Sequence, residues 1–436
     1  MKPGLILMAF FFTVSVAMRA QVAPAATGPG TATGFGGVQL DGVLHYDLRY
    51  AQTVQISGGQ DGQLMSIVSG DAGYTTLGKR RLFTMQYGGG YSWSLDDGSG
   101  SGNLYQRLTL SQEVSGRRWK LMGSDNVSYF YETPTTGFSG VPGSGEPIGG
   151  GGSGSSPNQT ILATTRNVDN TSSALYSQQL DHATSLGGVF TYGILRFPDS
   201  NGQDSNQVLV GLQISRRLDA RNSIQAQYSY AHYSFPGSVT TMDTHTVMFG
   251  YLRTWNRYFK TTVFLGPEWT KMSNVYTLSS TSPPTEILTQ FPTMTGLALN
   301  ASASYIKRST TAIVSYTQAD TGSSGALGQG QIGIGSRNVM LGLTQQFGKK
   351  FSLQATGAYM RSQSLQQGLQ QSAVTTSEYG EAQATRKLGR YFSVFANYTV
   401  EQQSSGIPLP ANAVSGVYQV IGFGLGYTPR DIRLKK

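Results

Sequence analysis

Cysteine is absent from the 436-residue sequence, which excludes both a disulfide framework and a thiolate metal site. Charged residues are scarce, because they make up 13% of the chain, about half the usual share in a soluble globular protein. Beyond the N-terminal region, the sequence also has no continuous apolar stretch long enough for a membrane helix. A large soluble protein and a bundle of membrane helices are therefore both disfavoured.

The sequence also lacks the motifs of common catalytic and cofactor sites. Neither Gly-x-Ser-x-Gly nor His-Glu-x-x-His occurs, and the four histidines are scattered along the chain. The run Gly328–Gly333 matches the dinucleotide-binding pattern by letter, but it precedes a predicted strand instead of lying between a strand and a helix. We therefore expect no enzymatic activity, no catalytic residues, no metal site and no cofactor.

Alternation of apolar and polar side chains is the dominant pattern that is present. In the stretch Val208–Phe235, two alternating runs flank a charged turn at Arg216–Asn222. The side chains that share the apolar face of these runs are Val208, Val210, Leu212, Ile214, Ile224, Ala226, Tyr228 and Tyr230. A period of two residues is that of a β-strand. The stretch thus predicts an antiparallel hairpin with one apolar and one polar face.

The unit of strand, short basic turn, strand and longer polar connection recurs along the chain. It predicts eighteen strands, at 38–52, 62–77, 81–95, 104–114, 117–131, 160–179, 184–197, 205–217, 222–235, 240–254, 258–271, 294–307, 309–319, 333–347, 350–362, 374–387, 391–402 and 413–428. If every short turn lies on one side, both termini emerge there and the strand count must be even. The pattern predicts an all-β fold, an antiparallel up-and-down barrel of about 18 strands, with 16 strands as the alternative.

The chain divides into regions of different composition. Residues 1–20, with a positive start and a short apolar run, predict a signal peptide cleaved at 20 or as late as 25, and the alternative is a buried N-terminal helix. Residues 21–37 predict a flexible segment. The barrel is predicted over 38–428, followed by a basic periplasmic tail at 429–436. The Gly/Ser-rich outer loop at 132–158 is either unstructured or folded inward to narrow the pore.

The last alternating segment closes with Phe423-Gly424-Leu425-Gly426-Tyr427 and so ends on an aromatic residue. Together with the signal peptide, the alternating segments and turns such as Arg217–Arg221, this ending makes Val38–Tyr427 resemble porin-like outer-membrane β-barrel proteins of Gram-negative-type bacteria. The tail Thr428–Lys436 departs from that family, whose chains often stop at the aromatic residue.

The resemblance implies a transmembrane barrel in the bacterial outer membrane, with short periplasmic turns and longer outer loops. It also implies outer-membrane lipid, lipopolysaccharide and the barrel-assembly machinery as partners. A homo-oligomer is common among porins, but it has no signature in this sequence.

The net charge of +9 does not predict nucleic-acid binding. Nineteen of the 32 Lys and Arg residues lie at the predicted short turns. A nucleic-acid module would instead collect them on a helix or in a basic run. We therefore expect no nucleic-acid partner.

The polar face of the strands is rich in Ser, Thr, Gln, Asn and Gly, which suits small polar solutes without strong charge selection. The ionisable residues predicted to line a pore are Asp41, His45, Asp47, Arg49, Lys260, Glu268 and Glu401. The sequence thus predicts a porin-like channel for the passive diffusion of small polar solutes. The alternatives are an outer-membrane conduit for polysaccharide export and a structural or adhesive surface β protein, such as a β-solenoid.

Overall fold

Twelve segments of the chain are described by the computed structural model: 42–57, 63–78, 80–95, 102–131, 166–198, 204–236, 240–278, 285–290, 292–322, 333–365, 374–405 and 416–434. The predicted signal peptide, the flexible N-terminal segment, Asp41 and the Gly/Ser-rich loop at 132–158 lie outside these residues. The described residues include no helix that could span a bilayer.

The described residues form one antiparallel sheet. Its strands are β1 (Gly42–Ser57), β2 (Gln63–Leu77), β3 (Arg81–Ser94), β4 (Gly102–Ser115), β5 (Trp119–Tyr131), β6 (Arg166–Gln179), β7 (Thr184–Arg196), β8 (Ser205–Arg217), β9 (Asn222–Ser234), β10 (Thr241–Thr254), β11 (Phe259–Leu278), β12 (Thr285–Gln290), β13 (Met294–Lys307), β14 (Thr310–Gly322), β15 (Gly333–Phe347), β16 (Phe351–Ser364), β17 (Val374–Lys387), β18 (Phe392–Ser405), β19 (Gly416–Tyr427) and β20 (Ile432–Leu434).

Successive strands pair with each other, β11 pairs with β13, and β19 pairs with β1. Eighteen strands therefore close into a barrel, while β12 only extends β11 and β20 only covers the start of β1. The predicted antiparallel barrel of eighteen strands is confirmed. The alternative of 16 strands and the β-solenoid are wrong, because the ladder between β1 and β19 closes the sheet on itself.

β11 departs most from its predicted bounds. β11 ends at Leu278 instead of 271, because it continues as a hairpin with β12 in which Ser273 lies opposite Gln290. Trp269 is the last exposed large apolar side chain that the structure describes on β11. Beyond the apolar part of the wall neither face of a strand needs to be apolar, so the alternation gives no signal there.

Short and long connections alternate around the barrel and define two rims. The short-turn rim carries hairpin turns such as the one between β8 and β9, together with the start of β1 and the end of β19. In outer-membrane barrels the short turns face the periplasm and the longer loops face outward. β20 pairs Ile432–Leu434 with Gly42–Leu44 at the short-turn rim, so part of the predicted periplasmic tail continues the sheet.

Aspartates at the short turns accept hydrogen bonds from the backbone. Asp181 Oδ1 accepts from the N–H groups of Ala183 at 2.6 Å and Thr184 at 2.8 Å. Asp219 accepts from the side-chain amide of Asn222 at 2.6 Å and from its backbone N–H at 2.9 Å. These donors hold the pKa of both carboxyls below the usual range. Both turns thus keep their capped conformation across the neutral pH range.

The two faces of the barrel wall differ in polarity. Exposed large apolar side chains occupy alternate positions on the outer face, where Leu212 is 59% exposed, Phe249 63% and Phe423 65%. The positions between them carry polar side chains that face inward and are buried, such as Thr246 and Asn397. An apolar exterior around a closed ladder is what a lipid bilayer requires. Tyrosines and leucines therefore face lipid, as the alternation predicts.

The seam between β18, β19 and β1, where the barrel closes, is closely packed around Gly424. Inside the barrel, the ring of Phe395 packs with Ala51 and Ile67, and all three side chains are buried. A Cβ atom at Gly424 would overlap that ring and lie 2.6 Å from the carbonyl oxygen of Tyr50. A residue without a side chain is therefore needed where the last strand meets the first.

Replacing Gly424 by Ala is expected to lower the thermal stability of the folded barrel. The added methyl group must displace Phe395, and overpacking of this kind costs about 1–3 kcal/mol. The measurement is the temperature at which the compact band is lost on a heat-modifiability gel. Gly389→Ala is the matched control, because a Cβ atom there has no neighbour within 4 Å. Equal midpoints for the two variants would contradict a tightly packed seam.

Two adjacent residues of β8 test which face meets lipid. Leu212→Arg is expected to lower the free energy of unfolding by about 2–4 kcal/mol, the cost of arginine on the lipid face near the bilayer midplane. Gln213→Arg, whose side chain points inward, is expected to have a much smaller effect. The measurement is urea unfolding in lipid vesicles, followed by tryptophan fluorescence. Equal losses for both variants would show that the two faces do not meet different solvents.

Candidate functional site

The first charged cluster of the inner wall lies on β1 and β2. Asp47 and Asp71 are directly opposite each other in the ladder. Arg49 bridges them, because its Nη2 donates to Asp47 Oδ2 and its Nη1 lies 2.9 Å from Asp71 Oδ2. Gly88 of β3 leaves room for this arrangement, since a Cβ atom there would overlap the Asp71 carboxylate. The cluster thus holds two acids and one base against the wall.

A second cluster is centred on Glu268 of β11, which is 2% exposed. Its Oε2 accepts a hydrogen bond from Thr246 Oγ1 at 2.9 Å, and its Oε1 accepts one from the backbone N–H of Asp320 at 2.6 Å. Thr270 Oγ1 donates in turn to Asp320 Oδ2 at 3.1 Å. Two acidic residues from distant parts of the chain are thereby held in one hydrogen-bonded group.

The end of β14 separates from β13 to make this second cluster. The ladder between β13 and β14 stops at Leu299 and Gln318, whereas the ladder between β14 and β15 continues to Gly322 and Gly333. The freed tip carries Asp320 across to the inner side of β11. The tip of the β14–β15 hairpin therefore narrows the lumen near the long-connection rim.

An apolar cluster lies inside the barrel near the same rim. Tyr233, Phe235, Met242 and Met272 form its buried centre, and Leu365 packs against it. A Cβ atom at Gly333 would lie 3.0 Å from the sulfur atoms of both methionines. The strand tips of β15 and β16 thus lie against the inner wall of β9–β11, which stabilises the narrowing.

Two further carboxyl groups face inward on β17 and β18. Glu381 accepts a hydrogen bond from the hydroxyl group of Tyr379, and both residues are buried. Glu401 is 1% exposed, and neither of its carboxylate oxygens has a hydrogen-bond partner in the described part of the chain. The inner wall of these strands is closely packed.

The six described pore-lining candidates all lie on the inward-facing positions of their strands. His45 and Lys260 lie near the short-turn rim, where His45 Nδ1 is 2.8 Å from Asp431 Oδ1. Asp47 and Arg49 contact each other, but the structure does not bring Glu268 or Glu401 into contact with another candidate. Asp41 lies outside the described residues. Their role in lining a channel stays a prediction.

Several inward residues of the site are not evident from the sequence. Asp71 sits in a run of small residues, and Asp320 reaches the lumen only because β14 leaves the ladder. Met242 and Met272 lie on the polar-facing positions of β10 and β11. Two methionines at positions where the alternation predicts polar side chains indicate an apolar contact inside the barrel. Within the described residues, no group of three or more His, Asp or Glu side chains could hold a metal ion.

No protein-family profile matches the sequence, and no curated protein matches it. Among the solved structures of similar fold are two from Pseudomonas aeruginosa. OpdO of Pseudomonas aeruginosa is 12% identical, with 90% of this chain and 98% of that chain covered at a TM-score of 0.43. OccK2 (OpdF) of the same organism is 10% identical, with 91% and 98% covered at a TM-score of 0.42.

A loop-deletion mutant of OmpT, an outer membrane protein of Vibrio cholerae, is 13% identical, with 89% of this chain and 100% of that chain covered at a TM-score of 0.36. At these TM-scores the likenesses carry no argument about substrate or mechanism. The strand pairing of the chain itself establishes the closed barrel.

The hydrogen bond from Asp320 to Glu268 can be tested by amide exchange. Glu268→Ala is expected to speed hydrogen–deuterium exchange at the Asp320 amide about tenfold, because a hydrogen bond to a charged group is worth about 1.5 kcal/mol. Glu268→Gln is the matched control, because it keeps a side-chain oxygen that accepts the bond. Exchange at the wild-type rate in Glu268→Ala would contradict the contact between the β14 tip and β11.

Proposed function

We propose that this protein, a porin-like barrel of the bacterial outer membrane, is a channel through which small polar solutes diffuse passively. One observation carries the proposal: a closed barrel of eighteen strands has an apolar outer wall and a polar inner wall. Barrels of this size enclose more space than their inward side chains fill and leave an aqueous channel.

The chemistry of the inner wall favours neutral polar solutes. Inward hydroxyl and amide groups, such as those of Gln225 and Thr399, can exchange hydrogen bonds with a passing solute. Charged groups are partly compensated, since Arg49 bridges two carboxylates and Lys120 Nζ lies 2.8 Å from Glu113 Oε2. Compensated charges produce only a small field across the lumen, so they discriminate weakly between ions.

The narrowing at the long-connection rim sets an upper limit on solute size. It is built from the β14–β15 tip, which is held by the hydrogen bonds to Glu268 and by the methionine cluster. Because these contacts join strand ends to the barrel wall, the narrowing is part of the folded barrel. We expect small sugars and amino acids to pass and polymers to be excluded.

Planar-bilayer recording with the purified, folded protein tests the proposal. We expect stepwise conductance that rises in proportion to salt concentration, together with swelling of protein-containing liposomes in a neutral monosaccharide but not in a large dextran. Heat-denatured protein is the control for detergent leakage. Folded protein that inserts without conducting would contradict a channel.

Substitutions at two neighbouring residues of β13 test whether the recorded current passes through the lumen. Ser302 points inward and Ala301 points outward in the middle of the strand. Ser302→Trp is expected to lower the single-channel conductance because the indole occupies lumen space, and Ala301→Trp is expected to leave it unchanged. The same conductance in both variants would show that current does not pass through the barrel.

A further inference from the structure

Two arginines lie side by side on the outer face of the barrel. Arg337 of β15 and Arg361 of β16 are directly opposite each other in the ladder, and both are exposed. They occupy the same outward-facing positions as Val339, Leu341 and Tyr359, which are 39%, 51% and 40% exposed. A pair of positive charges thus caps an apolar column on the lipid-facing wall.

The height of the pair on the barrel is that of lipid head groups. Phe347 and Phe351 contact each other at the short-turn rim, with their ring centroids 5.6 Å apart and their ring planes tilted by 44°. Arg337 and Arg361 lie ten residues further along the same two strands. At about 3.3 Å per residue and a strand tilt near 40°, they stand roughly 25 Å above the aromatic pair. That distance is the thickness of the apolar band, so the arginines lie at the outer interface.

The two guanidinium groups form no hydrogen bond or ion pair with any described residue. Like charges directly opposite each other in a ladder destabilise it. Glu378 of β17 is the nearest acidic residue on the outer face, but its ladder partner is Tyr359, two residues from Arg361. Because Glu378 carries only one negative charge, Arg337 and Arg361 together keep an excess positive charge. A bound anion would neutralise it.

Two other charged groups on the outer face near this rim, Arg196 and Asp243, have protein partners. Arg196 donates from Nη2 to Asn206 Oδ1 at 2.6 Å and from Nη1 to the carbonyl oxygen of Leu195 at 2.8 Å. Asp243 of β10 accepts a hydrogen bond from the hydroxyl group of Tyr230 at 2.6 Å, and its Oδ1 lies 2.8 Å from His232 Nδ1. This difference indicates that a ligand from outside the chain supplies the polar partners of Arg337 and Arg361.

We propose that Arg337 and Arg361 bind the phosphate group of lipopolysaccharide in the outer leaflet. Each guanidinium fork matches two phosphate oxygens, and adjacent arginines can share one phosphate. The acyl chains of the same molecule would lie along the apolar column of Val339, Leu341 and Tyr359 below. The proposal rests on the outer-membrane location of the barrel and is independent of channel activity.

Binding of purified lipid A to the folded barrel in detergent micelles tests the site. Arg337→Gln/Arg361→Gln is expected to bind phosphorylated lipid A about 30-fold more weakly than wild type, because each arginine near an anionic lipid surface contributes about fivefold. Wild type is expected to bind dephosphorylated lipid A as weakly as the double variant binds the phosphorylated form. Native mass spectrometry of the complexes supplies the affinities.

The matched control is Arg117→Gln/Arg118→Gln, which removes two exposed arginines from the short-turn rim and is expected to bind like wild type. Equal affinity of wild type for the two lipids, or an equal loss in both double variants, would overturn the site. Heat-modifiable migration verifies that each variant is folded. If the double variant does not fold, the single Arg337→Gln and Arg361→Gln variants replace it, each with an expected loss of about fivefold.

Discussion

Hydrocarbon offers no hydrogen-bond partner, so every backbone amide and carbonyl group within a bilayer must find one inside the protein. In this chain the requirement is met by pairing β1 with β19, from Leu48 opposite Tyr427 to Ser57 opposite Tyr418. Closure leaves the barrel without a free sheet edge in the membrane. It also accounts for the glycine at 424, because a Cβ atom there would overlap the ring of Phe395 and crowd the carbonyl oxygen of Tyr50 on the first strand.

Closure divides the side chains between two solvents, and that division organises the rest of the molecule. Inward positions can carry carboxylates, as in the groups around Asp71 and Glu268, because neighbouring inward side chains such as Arg49 and Thr246 supply polar partners. Outward positions carry leucine, valine and aromatic side chains along the height of the lipid band. Arg337 and Arg361 face outward without a protein partner among the described residues, but they lie at the level of the lipid head groups. Phosphate groups are available there, so these side chains also match their surroundings.

The sequence contains the strand pattern but not the contacts that depend on register. Residues such as Leu212 and Tyr228 could be assigned to the lipid face because a period of two persists over whole strands. The pairing of Asp47 with Asp71 depends on which residues of two strands lie opposite each other, and alternation does not specify this. Asp320 reaches Glu268 only because β14 leaves its ladder, a tertiary event with no local signal.

Because the chain contains no cysteine, single cysteines report solvent contact without interference. Cysteine introduced at Gln227, which points inward, and at Tyr228, which points outward, can be challenged with a charged, membrane-impermeant thiol reagent in intact proteoliposomes. We expect rapid labelling at 227 and protection at 228. A fluorophore attached at 228, but not one at 227, should be quenched by a nitroxide carried on the lipid. Protection at 227 together with labelling at 228 would contradict this arrangement, because it would show that lipid contacts the inner face and water contacts the outer face.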